Sequence, residues 1–393
     1  MPERKGEIGC YEPVSCKDNR KNTDKSPHLT EFTHNNYTVG WVCALSKEQT
    51  AATAMLDEIH SNLPSLPNDH NAYTLGSIGK HNIVIACLPE GEIATISAAN
   101  VATQMVNTFP SIKFGLMVGI GGGVPPKVRL GDVVVSKPVD KFSGVVQWDL
   151  GKAEEGGEFK RTGSLNCPPK VLLTALTKLK TGHEMNGPNI PRYLDDLKVK
   201  WPKLEQKYTK SDFLRDPMDE LDNSQRGQTR WQIIFAILWK AMLTFLDNIL
   251  GWWAFDLIEG EAKQAASTAV SITAPKGQRK PGDMCIHYGL IASGNQVIKD
   301  AAFRDKINKE LDGHVLCVEM EAAGLMNQFP CIVIRGICDY ADSDKNKDWQ
   351  EYAAAVAAAF AKELLEYVQP SDVDRELPAR EILYQGLSFS ECW

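Results

Sequence analysis

The sequence predicts an α/β protein in three layers, with a mixed, mostly parallel and twisted sheet between two layers of helices. Apolar runs of strand length recur along the 393 residues, and segments with helical spacing alternate with them. Strands that are apolar throughout are typical of a sheet covered on both faces, and alternation with helices favours parallel strands. The composition, with 43% hydrophobic and 24% charged residues, is that of a globular protein.

The individual elements follow from the same patterns. Strands are predicted at 37–45, 72–78, 82–88, 113–120, 131–136, 285–293, 315–318 and 331–337. Helices are predicted at 46–59, 92–109, 296–311, 319–327 and 349–368. The second and third strands are separated by three residues that begin with Gly79, which predicts a hairpin.

The chain is expected to contain one catalytic domain at 37–369. Residues 1–36 are polar and contain no apolar signal sequence, so we predict a disordered N-terminal tail. An irregular insertion is expected at about 183–283, and residues 370–393 are expected to form a C-terminal tail or linker.

The insertion contains an apolar run at 231–255 that is interrupted by Lys240 and Asp247. A membrane span needs about 20 mostly apolar residues, and this run carries two charges. We expect a packed or interface helix here, ahead of a membrane-surface helix, a true span, or translated non-coding sequence.

Charge and cysteine usage exclude several classes of protein. A formal net charge of -7 argues against nucleic-acid binding, which needs a basic surface. The ten cysteines include no C-x-x-C pair, so the sequence supports no zinc or thioredoxin-type site. We expect reduced thiols, as in a cytosol or nucleus, with a cytoplasmic location preferred, and neither metal nor cofactor.

A glycine-rich turn is predicted at 119–123, directly after an apolar strand. Glycines let a ligand approach the backbone closely, so N–H groups here could face a sugar or a phosphate. Val124 occupies the last glycine position of a G-x-G-x-x-G motif, so the dinucleotide fingerprint is absent. The alternative is a tight exit from the strand.

Four acidic residues are candidates for chemistry. Glu319 and Glu321 flank Met320 where a strand is predicted to end, and they could cap a helix or accept hydrogen bonds from ribose hydroxyls. Asp339 follows a very apolar strand, where ligand sites of α/β folds lie; it could hold a proton to donate or form a turn. Glu48, at a predicted helix start, could be catalytic or merely solvated.

These features in this order resemble the nucleoside phosphorylase and nucleosidase superfamily. The resemblance covers roughly 37–368, except for the middle segment, and looks closest to nucleosidase-like domains of fungal signalling proteins. The segments that carry it are VGWVCAL, LMVGIGGGVP, HYGLIASGNQVIKD, VEMEAAGLMN and IRGICDYAD.

The resemblance implies a role for each matching position. It implies that Glu48 activates water and that Asp339 protonates N7 of the purine. The residues that it assigns to substrate binding are Gly119, Gly121, Gly122, Asn295, Val297, Ile298, Glu319, Met320 and Glu321.

The chain departs from bacterial nucleosidases of the superfamily at three of the matching positions. Ile120 stands where those enzymes have a serine, Val297 replaces a purine-stacking phenylalanine, and Asn295 replaces an aspartate. Lys299 and Arg304 could face a charged 5′ substituent, although their spacing favours exposed helix positions.

Hydrolysis is favoured over phosphorolysis. Phosphorylases of the superfamily carry an arginine where Met117 stands, and the charge of Glu48 would repel phosphate. The predicted activity is cleavage of a purine nucleoside or nucleotide, such as adenosine or ATP, with guanosine and inosine left open, in stress or antiviral defence. The alternatives are a phosphate-dependent phosphorylase and a non-catalytic nucleotide-binding sensor. The resemblance also implies a homo-oligomer.

Overall fold

A computed structural model describes residues 32–156, 159–219, 283–345 and 347–389. Its strands are β1 Val39–Cys43, β2 Glu58–Ile59, β3 Tyr73–Ile78, β4 His81–Cys87, β5 Phe114–Gly123, β6 Val133–Ser136, β7 Val145–Gln147, β8 Gly151–Ala153, β9 Phe159–Arg161, β10 Ile286–Ser293, β11 Val315–Glu319 and β12 Cys331–Asp339. Its α-helices are α1 Ser46–Met55, α2 Ala94–Thr108, α3 Lys170–Asn186, α4 Ile190–Lys200, α5 Glu205–Tyr208, α6 Ala301–Glu310, α7 Gln350–Tyr367, α8 Pro370–Arg375 and α9 Ala379–Phe389.

The described residues form a ten-stranded mixed sheet in the order β11-β10-β6-β12-β5-β1-β4-β3-β2, with β7 beside β10. The central pairs β4–β1, β1–β5 and β5–β12 are parallel, whereas β6–β12 and β3–β4 are antiparallel. Strand β11 pairs with both β10 and β5, so five strands close on themselves at one end of the sheet. The predicted mixed, mostly parallel sheet is confirmed.

Helices cover both faces of this sheet, as the apolar strands predicted. Along β1, Trp41 packs into the cluster that contains α1 and α7, whereas Val42 packs into the cluster that contains α2. Side chains alternate between the two faces of a strand, so a strand that is buried throughout needs a layer on each side. Gly336 of β12 lies against the backbone of Ala353, where a side chain would collide with α7.

Two elements near the predicted site differ from the sequence prediction. Strand β5 continues to Gly123, so the predicted turn at 119–123 is the end of a strand. The predicted helix at 319–327 is reduced to a short 3-10 helix, Ala322–Gly324. The reason is local: the Glu319 carboxylate accepts backbone N–H groups of the next residues, and Gly324 packs directly on the backbone of Thr95.

Helices also occupy stretches that the sequence assigned to an irregular insertion and to a tail. The beginning of the expected insertion carries the end of α3 and all of α4, which bury apolar residues such as Leu179 and Leu197. After residue 370, Val373 and Ala379 are buried, and the N–H of Ala379 donates to the carbonyl of Ile112 at 2.7 Å. The apolar run at 231–255 lies outside the described residues.

Among the described segments, no helix is both long and apolar enough to cross a bilayer.

Candidate active site

A cavity of about 190 Å³ lies at the carboxyl ends of β1, β11 and β12 and beside the end of β5. Ligand sites in α/β sheets occur at this edge. Three acidic side chains that are far apart in the chain line this one cavity: Glu48, Glu321 and Asp339. Its wall also includes other residues that the sequence singled out: Gly121, Gly122, Val297, Ile298, Glu319 and Met320.

Glu48 is only 3% exposed, so it is not a solvated helix residue. Its Oε2 accepts the N–H groups of Ala44 at 2.7 Å and Leu45 at 3.0 Å, because α1 begins immediately after β1. Its Oε1 accepts the N–H of Ile120 at 2.8 Å. Burial raises the pKa of Glu48, while the charge of Arg335 and these backbone bonds oppose the shift. The three hydrogen bonds therefore fix the carboxylate in place, and its raised pKa makes it a stronger base than an ordinary glutamate.

The glycines at the end of β5 make room for acidic side chains. A Cβ atom on Gly119 would collide with the carboxylate of Glu48 and the guanidinium of Arg335. On Gly122, a Cβ atom would lie 2.9 Å from Oδ1 of Asp339. Gly119 itself does not line the cavity. The sequence predicted that N–H groups of this segment could face a sugar or a phosphate. The N–H of Ile120 donates to Glu48 instead, so it is not free to do so.

Arg335, which no sequence pattern assigned to the site, contacts two glutamates that line the cavity. It is fully buried in the middle of β12, directly opposite Gly119 of β5. Its Nη2 contacts the carboxylates of Glu319 and, at 3.2 Å, Glu321. The nearby carboxylates, led by that of Glu319, hold the pKa of Arg335 above its ordinary value in spite of burial, so the guanidinium stays charged. A single basic residue within the apolar run CIVIRGIC was the signal for it.

The two glutamates of the VEMEA segment occupy different environments. Glu319 accepts the N–H groups of Glu321 at 3.2 Å and Ala322 at 3.1 Å, in addition to its contact with Arg335. Glu321 is also buried, and burial raises its pKa to about 7, against the opposing charge of Arg335. Glu319 therefore anchors the local backbone, and it lines the cavity together with Met320 and Glu321.

Asp339 ends β12 and is 5% exposed. Its Oδ1 accepts the N–H of Ala341 at 2.8 Å. Its Oδ2 lies 3.2 Å from Nζ of Lys345 and 3.1 Å from the Sγ atom of Cys338. Burial raises the pKa of Cys338, so the thiol stays protonated and donates to the carboxylate. Lys345 also lines the cavity, and no sequence pattern pointed to it.

The predicted base-binding loop reaches the cavity only in part. Val297 and Ile298 line it, and Val297 is half exposed. Asn295 does not line it. Instead, its Oδ1 accepts the hydroxyl of Thr95 at 2.7 Å, and its Nδ2 donates to Asp149 at 3.0 Å. In this structure Asn295 joins the start of α2 to the segment after β7.

The burial of Arg304, Lys299 and Met117 shows where each of them lies. Arg304 is buried and its Nη1 donates to the carbonyl of Tyr340 at 2.6 Å, so its expected position on an exposed helix face is wrong. Lys299 is exposed. Met117 is fully buried in the core and does not line the cavity. Among the described residues, no cluster of His, Cys, Asp or Glu side chains has the arrangement of a metal site.

The chain is similar to several curated proteins, and nucleosidases are among them. The chain is 44% identical over 345 residues to a nucleotide-binding leucine-rich repeat (NLR)-like protein of Hyaloscypha variabilis, covering 85% of this chain and 30% of that protein. It is 33% identical over 101 residues to the 5′-methylthioadenosine/S-adenosylhomocysteine nucleosidase of Mycobacterium tuberculosis, covering 24% of this chain and 38% of that enzyme. It is 27% identical over 113 residues to the ATP nucleosidase Cap17 of Escherichia coli, covering 28% of this chain and 22% of that enzyme.

Among solved structures, futalosine hydrolase from Helicobacter pylori is similar to this chain with a TM-score of 0.48 and 15% identity. The superposition covers 85% of this chain and 99% of the hydrolase. No protein-family model matches the chain. The matched segments span between 22% and 38% of the curated relatives' own lengths. The resemblance predicted from the motifs is confirmed to this extent: segments of the chain are similar to nucleosidases of the superfamily.

Proposed function

We propose that this chain is a purine nucleosidase, which hydrolyses the N-glycosidic bond of a purine nucleoside or nucleotide such as adenosine or ATP. The observation that carries the proposal is the convergence of Glu48, Glu321 and Asp339 on one cavity. The two relatives whose names state an activity are both nucleosidases, which supports the same reaction class.

Glu48 has the properties of a general base. Each carboxylate oxygen has two lone pairs, and Oε1 uses one of them for the N–H of Ile120. The other lone pair can accept a proton from a water molecule in the cavity. Burial raises the pKa of Glu48, and a base is most effective when its pKa is near the working pH.

Glu321 and Met320 are suited to hold the sugar. The two oxygens of a carboxyl group can accept hydrogen bonds from ribose hydroxyls, and a methionine side chain can pack on the apolar face of the ring. Arg335 contacts Glu321 from the side of the core and balances its charge. With the sugar fixed between these groups, its anomeric carbon is presented to the water that Glu48 activates.

Asp339 is the proposed acid. The bond from the anomeric carbon to the purine nitrogen breaks, and a proton from Asp339 reaches N7, so the base leaves as a neutral molecule. Water adds to the anomeric carbon and gives its proton to Glu48. The products are the free purine and the ribose or ribose phosphate, and the proton held by Glu48 returns through solvent to Asp339.

Hydrolysis fits the described cavity better than phosphorolysis does. A phosphate nucleophile needs cations beside the anomeric carbon, and arginine is the usual partner. Of the described residues that line the cavity, Lys345 is the cation, and it contacts Asp339 at the proposed base end. The water site that we propose lies beside the anionic Glu48.

The test is release of free base from adenosine, ATP, inosine and guanosine, each with and without phosphate and followed by chromatography. We expect base and ribose or ribose phosphate without added phosphate. Base release that requires phosphate and yields a sugar 1-phosphate would assign a phosphorylase instead. Binding without cleavage of any of these compounds would assign a sensor.

We also propose that the chain acts as a homo-oligomer in stress or antiviral defence. Its similarity to an NLR-like protein over 345 residues supports the defence role. Sedimentation of the purified chain tests the oligomer, and a single monomeric species at micromolar concentration would contradict it.

A further inference from the structure

The contacts of Asp339 occupy both of its oxygens as acceptors. Oδ1 accepts a backbone N–H, and Oδ2 is approached by the ammonium of Lys345 at 3.2 Å and by the thiol of Cys338 at 3.1 Å. An ammonium group donates hydrogen bonds and accepts none. In this arrangement Asp339 is an acceptor, whereas protonation of a purine requires it to be a donor.

One of these contacts is much easier to release than the others. The N–H of Ala341 belongs to the backbone, and Cys338 is a buried neighbour in the same strand. Lys345 lies on the loop after β12, and its side chain is 25% exposed on a flexible four-carbon stem. Once Lys345 has moved to another anion, Oδ2 of Asp339 is released from the ammonium group and is free to turn toward a base.

We propose that Lys345 determines substrate specificity: it pairs with Asp339 before the substrate binds and transfers to a phosphate group of the substrate on binding. This inference rests on the proposed nucleosidase function and narrows its substrate class to purine nucleotides. A nucleotide supplies the competing anion and thereby frees the acid. A nucleoside lacks that anion, so the ion pair persists and the acid stays blocked.

The charges around the cavity support this assignment. Glu48, Glu321 and Asp339 all line it, so a phosphate entering without a cation would be repelled. Lys345 is the cation that lines the described part of the cavity. The contacts of Lys345 with Asp339 and with a phosphate would both be charge-assisted, and a phosphate offers more acceptor oxygens than one partly occupied carboxylate.

The test compares hydrolysis of AMP and ATP with that of adenosine by the wild type and by Lys345→Met. The wild type should prefer the nucleotides in kcat/KM by at least roughly tenfold, the usual effect of one charge-assisted hydrogen bond. Lys345→Met should lose that preference in two ways: hydrolysis of nucleotides falls, and hydrolysis of adenosine rises because Asp339 is no longer paired. Lys345→Arg should retain the preference.

Lys347→Met is the matched control, because Lys347 is an exposed lysine on the same loop and does not line the cavity. It should keep the wild-type ratio of nucleotide to nucleoside hydrolysis. Equal losses on AMP, ATP and adenosine in Lys345→Met would overturn the inference, since Lys345 would then support Asp339 or the base directly. A wild type that prefers adenosine would overturn it as well.

A binding measurement separates this inference from the proposed function. Calorimetry with AMP and adenosine reports recognition of the phosphate even if no base is released. Tighter binding of AMP that is lost in Lys345→Met supports the inference when the hydrolase proposal itself fails. Equal binding of AMP by both proteins rejects it.

Discussion

The guanidinium of Arg335 lies 3.2 Å from Oε2 of Glu321, and both Glu321 and Asp339 line the cavity. This contact joins the sheet interior to the proposed sugar site. Arg335 also contacts Glu319, and its charge acts on Glu48 as well, so one buried cation balances three glutamates. The charge of Arg335 therefore allows several carboxylates to lie close together in a small, largely buried cavity.

Replacing Arg335 with methionine should destabilise the fold. The substitution leaves the buried carboxylates of Glu319 and Glu321 without their cation, and breaking a buried pair typically costs about 3–5 kcal/mol. Denaturant unfolding measures this cost. Arg192→Met is the control, because Arg192 is 70% exposed and its loss should change stability by less than about 0.5 kcal/mol. Equal stability of the two variants would contradict the role of Arg335.

Glu48→Gln should lower kcat by at least roughly a hundredfold, because an amide cannot take a proton from water. The amide also places N–H donors among the backbone N–H groups of Ala44, Leu45 and Ile120. Base release measures activity, and circular dichroism checks that the variant is folded. Glu90→Gln changes an exposed glutamate and should retain activity. A Glu48→Gln variant with near wild-type kcat would remove Glu48 from the mechanism.

Glu321 should make stability depend on pH. Burial raises its folded pKa from the ordinary 4.5 to about 7, in the presence of Arg335, Glu319 and Glu48. Between these values the folded protein holds a proton on Glu321 that the unfolded chain has released. The contribution of Glu321 to the free energy of unfolding therefore falls as pH rises through this range.

The comparison with Glu321→Gln isolates this effect. Unfolding free energies of the wild type and the variant should be measured from pH 4.5 to 8. The difference, wild type minus variant, should fall with rising pH up to about 7 and then level off. A difference that is constant across the range would show that Glu321 ionises as freely as in the unfolded chain.

Sequence patterns predicted the fold well because they report burial. Runs such as 113–120 and 331–337 are apolar enough to require cover on both faces, and they became the adjacent parallel strands β5 and β12. Sequence patterns predicted secondary structure poorly where tertiary contacts determine the local conformation. Helices α3 and α4 bury widely spaced apolar residues among many charges, and the expected helix at 319–327 yields to the hydrogen bonds of Glu319.

Sequence motifs identified those residues of the candidate site that occupy a fixed position within a motif. Nine of the eleven residues proposed from the sequence line the cavity, and Gly119 packs against Glu48, which lines it. The exception is Asn295, whose hydrogen-bond partners Thr95 and Asp149 do not line the cavity. Arg335 and Lys345 were missed because their importance depends on which carboxylate each one reaches.

The most direct test of the account is base release by Asp339→Asn. Asparagine can still hydrogen-bond to N7 but cannot transfer a proton, so kcat should fall by roughly a hundredfold or more while the fold is retained. Asp344→Asn, on the exposed part of the following loop, should behave as wild type. Free-base release by Asp339→Asn at the wild-type rate would contradict the central claim that Asp339 is the acid of this cavity.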